Sequence, residues 1–407
     1  MIKMKIIKDK PISVVPGFKT IGIHCGVKKR KKDLCLIYSQ SPTVSAATFT
    51  KNKSMAAPVM VSKKHIKSNN TQAIIINSGN ANACTGNKGY EDALKMAETV
   101  ANNLNLKKEE VMVASTGIIG VNLPIDNIVS GIDKCCSLVD NNDGESSAQA
   151  ILTTDSFTKT ITVKLEIDNK PIFISAIAKG SGMIHPNMGT MLSFITTNLN
   201  IEKNILNDML KVSVEDSYNM VSVDGDTSTN DTVIMLANKT ANNKAISEKK
   251  EDYYKFKKAL DYVNKYLSKM IAKDGEGSTK LIEVNLENAK SLKDAKLCAK
   301  SVISSNLVKT AMFGNDPNWG RILCSLGYSG GDFSQEKVDI SIGDENSLLD
   351  LVKNGISLNF DKISAEKILK NKHIIIKINL NDGKYKATAW GCDLTYDYIK
   401  CNGVYTT

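Results

Sequence analysis

The chain has 407 residues, 42% of them hydrophobic, enough for two or three domains or one large two-lobed unit with an ordinary globular core. No run approaches the ~18 consecutive apolar residues of a membrane-spanning helix, and the lysine-studded N-terminus lacks the apolar stretch of a secretory signal. The formal charge of +10 is spread as lysines alternating with acids, not as a basic stripe interleaved with aromatics, so neither nucleic acid nor membrane is an expected partner.

Residues 1–60 read as short strands joined by turns, with Leu34–Tyr38 and Val44–Thr50 as separate β-rich segments. Gln72–Asn77 is a continuous apolar strand that ends in the polar run Ser78–Ala83. A helix over Tyr90–Leu104 follows, with Leu94, Ala97, Val100, Ala101 and Leu104 on one face. Val111–Ala114 is a further short strand, ending at Ser115-Thr116-Gly117. Helices are predicted at Pro124–Leu138 and Glu145–Leu152, the second running into Thr153-Thr154-Asp155. Clean alternation in Thr160–Ile167 and the turn Asp168-Asn169 predict a hairpin with Pro171–Ala178, which delivers Lys179. Gly180, Ser181, Gly182, Pro186 and Gly189 then impose irregular backbone up to Thr190, and Met191–Thr197 reads as a buried strand.

Next come a helix over Ile201–Met220, the polar segment Ser222–Thr232 and a strand at Val233–Leu236. An amphipathic helix over Lys250–Lys273 is broken by Gly275-Glu276-Gly277 before strand Leu281–Leu286 and helix Asp294–Ser304. Residues 313–321 form a loop, and the remainder reads mainly as strand with one helix at Ser364–Asn371. The last hairpin pairs His373–Leu380 with Lys384–Trp390 across Asn381-Asp382-Gly383. Without a regular βαβ rhythm, the class is α+β, with helices layered on mixed or largely antiparallel sheets.

Familiar catalytic templates are missing. The nine cysteines form no CxxC pair and are odd in number, and the four histidines have no ligand spacing, so neither disulfides nor a metal is expected and a reducing cytoplasm fits best. Asp224, Asp226 and Asp231 lack the EF-hand spacing and read as hydrogen-bonding turns. Dinucleotide, P-loop and Gly-x-Ser-x-Gly signatures are absent. A threonine can still be a nucleophile without histidine if its own α-amine is free, because that amine titrates near ~7.7–8. Gly189–Thr190 is suited to generate one, since glycine shields its carbonyl little and a strained loop can press the hydroxyl onto it.

The segment KGSGMIHPNMGTML (Lys179–Leu192) does not stand alone. GFKTIGIHCGVKK, AAPV, INSGNANACTG, STGIIG and TTD precede it; SVDGDTSTNDT, DGEGSTK, GNDPNWGRI and CDLTYDYIKCNGVYTT follow it. In this order, over essentially the whole chain, they resemble the ornithine acetyltransferase family, the glutamate N-acetyltransferases of cyclic arginine biosynthesis. The resemblance implies an N-terminal-nucleophile-like layered α/β sandwich, cut between Gly189 and Thr190 into an α chain (1–189) and a β chain (190–407) that pair as α2β2. It implies that Thr190 carries acetyl from N-acetylornithine to glutamate, while Thr116 and Gly117 form the oxyanion hole. Substrate contacts fall to Thr153 or Thr154, Lys179, Thr190, Glu276, Asn402 and Thr407. No cofactor is implied, and acetyl-CoA is left open as a second donor.

Two positions depart from the family pattern: Gly189, where alanine is common, and His185, where the residue is often small. Other readings of the motifs are structural. Gly275 and Gly277 can form a helix C-cap and turn, the asparagines of INSGNANACTG can cap the next helix, and Asp316, Trp319 and Arg321 can brace the site or a chain interface. A self-cleaving amidase or aminopeptidase is the alternative activity. An inactive binding protein using the basic surface would leave Lys179–Thr197 unexplained.

Overall fold

The structure is a computed structural model that describes residues 4–7, 11–68, 70–185 and 191–404. The expectations placed on Pro186, Gly189, Thr190 and Thr407 fall outside these residues. Two mixed sheets and the helices layered on them make up the fold, as the α+β reading expects.

Across the first sheet the order is Lys5–Ile7, Lys159–Ile167, Lys170–Lys179, Leu192–Thr197, Thr232–Ala237, Leu34–Phe49, Thr71–Asn80 and Val111–Ile118, with Phe18–Ile23 also paired to Leu34–Phe49. The segments expected as two strands at Leu34–Tyr38 and Val44–Thr50 are thus one. Its first half pairs with Phe18–Ile23 and Thr71–Asn80, its second half with Thr232–Ala237, and the register breaks between Tyr38 and Thr43. The period-two alternation of strand side chains then separates three cores. Cys35, Ile37, Ile74 and Ile76 share one core with Ile177, Leu192, Phe194, Ile234 and Leu236, so the two halves of the sheet enclose it. The alternate residues Leu34, Leu36, Ile75 and Val113 pack with helices Gly86–Leu104 and Ile125–Leu138. On the far side, Ala176, Ala178, Ile195 and Met235 pack with helices Lys203–Glu215 and Glu251–Lys273.

The helix Glu251–Lys273 touches strands of both sheets. Phe256, Leu260, Val263, Leu267 and Ile271 recur at helical spacing and are all buried, each stabilising by about 1.5–3 kcal/mol. Beyond it lies the second sheet, ordered Ile356–Ser357, Leu348–Lys353, Asp339–Gly343, His373–Asn379, Leu281–Ala289, Tyr385–Cys392 and Val221–Ser222.

The hairpin expected at Asp168-Asn169 is present: both residues have left-handed φ, +53° and +55°, and Ile167 pairs with Lys170. The expected C-terminal hairpin is not. Leu281–Ala289 lies between His373–Asn379 and Tyr385–Cys392, parallel to the first and antiparallel to the second. The turn instead passes over the end of that inserted strand, where Leu380 N donates to Glu287 O (3.1 Å) and Asp382 N to Asn288 O (2.9 Å). Two further helices, Asn306–Phe313 and Trp319–Gly327, flank the expected 313–321 loop and shorten it to residues 314–318. The side chains of Ser305 and Asn318 cap them by accepting from Val308 N and Arg321 N. The helix expected over Ile201–Met220 is shorter, spanning Lys203–Glu215, with a separate 3-10 turn at Tyr218–Met220. Among the described residues no helix is long and apolar enough to cross a membrane.

Candidate active site

The strand Val111–Ile118 runs past its expected end, so Thr116 and Gly117 belong to it. Gly117 pairs with Gly79 at φ +135°, and a Cβ there would lie 2.3 Å from the Gly79 carbonyl carbon and 2.5 Å from Asn80 N. Only glycine permits that approach. The asparagines beside it brace the turn instead of capping the next helix. Asn77 Nδ2 donates to Asn80 O (2.9 Å) and Asn80 Nδ2 to Val121 O (3.0 Å), while the N-cap, Thr85, makes no side-chain cap bond.

Lys179 ends its strand next to Thr116 and the TTD loop. Its Nζ donates to Thr153 Oγ1 (2.8 Å) and Thr116 Oγ1 (3.3 Å), with Asp155 Oδ2 at 3.9 Å. Burial pushes the Lys179 ammonium below its ordinary value, and Asp155 opposes that shift. Asp155 is itself buried, which alone would raise its carboxyl. The ammonium groups of Lys179 and Lys159 and the bond from Gly180 N (2.7 Å) nonetheless hold it well below the usual carboxylate range.

Glu276 follows the helix Glu251–Lys273, whose C-cap is Asp274 and not Gly275; the expected turn is present, with Ser278 N donating to Gly275 O (2.9 Å), and both glycines also make close contacts. A Cβ on Gly275 would lie 2.6 Å from Cys392 Sγ. Gly277, at φ +66°, lets the Tyr398 amide approach to 2.4 Å of where its Cβ would be. The C-terminal helix Tyr396–Val404 is thereby seated on this loop, and Thr395 Oγ1 adds a bond to Gly277 O (2.6 Å). From that helix Asn402 Nδ2 donates to Glu276 Oε2 (2.9 Å). A Cβ on Gly182 would lie 2.4 Å from the same carboxylate, so that glycine leaves room for it. Asp224 secures the loop from the other side by accepting from Met183 N (2.6 Å) and Ile184 N (2.8 Å), the turn role expected of it.

These elements surround one cavity of about 130 Å³. Thr116, Gly117, Thr153, Thr154, Lys179, Glu276 and Asn402 all line it, which brings together every described residue that the sequence nominates. Met191, the covalent neighbour of Thr190, lines it too. Among the lining residues that were not nominated is the polar run Ser228, Thr229, Asn230 and Asp231. Asn230 ties the cavity to the strand Val111–Ile118 and to the turn before it by donating to Ser115 O (2.9 Å) and Ala81 O (2.6 Å). The only signal for them is the density of Ser, Thr and Asn in SVDGDTSTNDT, which reads equally well as a turn.

His185 and the GNDPNWGRI residues lie elsewhere. His185 does not line the cavity; its ring bonds Ser222 Oγ (3.0 Å), and burial with nearby Lys300 pushes its pKa down to about 4. Arg321 Nη1 donates to Leu307 O (2.9 Å), linking two helices, which is bracing within the second half of the chain.

Residues 19–407 match the ArgJ family profile. The arginine biosynthesis bifunctional protein ArgJ 1 of Clostridium acetobutylicum is 57% identical over 406 residues, covering 100% of both chains. ArgJ of Caldanaerobacter subterraneus subsp. tengcongensis is 51% identical, covering 98% of this chain and 100% of its own. The solved structure of ArgJ from Bacillus halodurans is 42% identical with a TM-score of 0.51, and 100% of that chain corresponds to 53% of this one. By the extent of these matches, the chain belongs to the ArgJ family.

Proposed function

We propose that this chain is a glutamate N-acetyltransferase of arginine biosynthesis that moves acetyl from N2-acetylornithine to glutamate. It first cuts itself between Gly189 and Thr190 into an α chain (1–189) and a β chain (190–407). The observation that carries this reading is the single cavity lined by Thr116, Gly117, Thr153, Thr154, Lys179, Glu276 and Asn402, with Met191 bonded to Thr190 at its edge. The half-length solved chain supports the cut, since its 53% share is close to the share of this chain that follows Gly189.

In this mechanism Thr190 Oγ attacks the acetyl carbonyl carbon and its proton passes to the free α-amine of the same residue. Thr116 and Gly117 hold the developing oxyanion, each donor contributing on the order of 3 kcal/mol. The carbon–nitrogen bond breaks, the departing amine takes the proton, and ornithine leaves. The glutamate amine then attacks the acetyl ester, its proton passing by way of the Thr190 α-amine to Thr190 Oγ as the carbon–oxygen bond breaks and that hydroxyl is restored. The Lys179 ammonium attracts the α-carboxylate common to both substrates, and the Glu276 carboxylate pairs with the distal ammonium of ornithine. A threonine of the TTD loop, Asn402 and Thr407 complete the contacts. The relatives' designation as bifunctional supports acetyl-CoA as a further donor. The α2β2 assembly rests on the family resemblance, and the cytoplasm as its location on the cysteine usage.

Intact-mass measurement should find two fragments that divide at Gly189–Thr190, and Thr190→Ala should stay whole and inactive. The cleaved protein should transfer labelled acetyl from N-acetylornithine to glutamate, with acetyl-CoA assayed beside it. An uncut chain of full activity, or an active Thr190→Ala, would overturn the proposal. Hydrolysis outrunning transfer would favour an amidase.

A further inference from the structure

Three of the segments that contribute to this cavity lie far apart in the chain: Thr153 and Thr154, Lys179 with Gly182 and Met183, and Glu276. One side chain that does not line it ties them together. Lys159 opens the strand Lys159–Ile167 with no exposed side-chain surface, and its Nζ lies 2.7 Å from Asp155 Oδ1 and 2.5 Å from Asp274 Oδ2. Asp155 also accepts from Thr153 N (3.0 Å) and Gly180 N (2.7 Å). Asp274 accepts from Ser156 N (3.0 Å), and its carbonyl accepts from Ser181 Oγ (2.6 Å). Ser181 O in turn accepts from Glu276 N (3.1 Å). Lys159 therefore bridges the loop that carries Lys179 to the loop that carries Glu276.

We propose that Lys159 is a positioning residue: by bridging Asp155 and Asp274 it sets the placement of the Lys179 ammonium relative to the Glu276 carboxylate, and so which amino-acid substrates fit. This rests on the transferase reading above. The geometry gives the reason. Lys179 Nζ stands 3.9 Å from Asp155, too far for a hydrogen bond, and donates to Thr153 and Thr116 instead. Lys159 occupies the Asp155 carboxylate and thereby leaves the Lys179 ammonium available to a substrate carboxylate. Without Lys159, Asp155 would turn to Lys179 and withdraw it. The charged groups that act on Lys179 are Asp155, Lys159, Glu276 and Asp231, with Lys28 near enough to feel it. Removing the Lys159 charge should therefore let Lys179 stay protonated to higher pH.

The test uses full-length protein carrying Lys159→Met, Lys159→Arg or Asp274→Asn. Each is checked for cleavage by intact mass and for folding by thermal melting. Steady-state kinetics are measured across pH with both substrates, and ornithine binding is measured by calorimetry. Lys159→Met should raise KM for N-acetylornithine and glutamate about tenfold or more, change kcat by less than about threefold and move the alkaline limb of kcat/KM upward. Lys159→Arg should stay within about threefold of wild type, and Asp274→Asn should raise KM by a smaller factor in the same direction. A folded Lys159→Met with wild-type KM and pH profile, or with kcat alone reduced, would overturn the proposal. If Lys159→Met does not fold, Asp274→Asn decides: wild-type KM overturns the proposal, and so does its failure to fold, since the cluster would then serve folding only. A wild-type protein that binds ornithine yet transfers no acetyl would refute the transferase reading instead, and the loss of ornithine affinity in Lys159→Met would still report on positioning.

Discussion

Gly117 and Gly120 lie three residues apart, both with left-handed φ, and differ in what surrounds them. A Cβ at 117 meets the Gly79 backbone at 2.3 Å, whereas nothing lies within 4 Å of one at 120. Gly120→Ala should cost only backbone strain, about 1 kcal/mol, and Gly117→Ala a further 1–3 kcal/mol or so of overpacking. Thermal melting of the two variants side by side should show the larger drop at 117. Asp155 makes a pH prediction. Its folded-state pKa is depressed, so its contribution to stability is fully present above its ordinary value of 3.8 and is lost as pH falls toward the folded one. Asp155→Asn leaves two buried ammonium groups under-compensated and should cost about 3–5 kcal/mol at neutral pH. Chemical denaturation across the acid range should show a shallower pH dependence in that variant. His185, with a pKa near 4, should contribute no inflection to activity between pH 5 and 8, and His185→Ala should leave the shape of that profile unchanged.

Among the elements, the C-terminal helix depends on one glycine. Gly277→Ala would push a methyl group into the Tyr398 amide at a left-handed position, lifting Tyr396–Val404 and Asn402 away from Glu276. KM for ornithine-bearing substrate should rise by about tenfold, and Asn402→Ala should reproduce part of that rise without the stability loss. Pairing within a tight turn was legible from the sequence, as at Asp168-Asn169, because alternation and turn chemistry act locally. The pairing of His373–Asn379 was not, because the intervening strand Leu281–Ala289 arrives from about ninety residues earlier and no local signal announces it. Gly383, whose Cβ would lie 2.2 Å from Ala289 O, is the trace of that insertion. The helices Asn306–Phe313 and Trp319–Gly327 did carry signals in Ser305 and Asn318, but the loop-like GNDPN between them obscured both.

For the whole molecule, the proposed cut does not coincide with a boundary between layers. Leu192–Thr197 is hydrogen-bonded to Lys170–Lys179 on one side and to Thr232–Ala237 on the other, and Thr232–Ala237 pairs with Leu34–Phe49. The two fragments should therefore co-elute in gel filtration and separate only in denaturant. Elution of free halves under native conditions would contradict this. The sequence by itself determined the motif set and the α+β class, because each is written in contiguous stretches of side chains. Only the tertiary structure decided that the sheet folds about Leu34–Phe49, that Ser228–Asp231 complete the cavity, and that Lys159 joins its loops. Those facts depend on contacts between residues tens to more than a hundred positions apart, which chain-local periodicity does not encode.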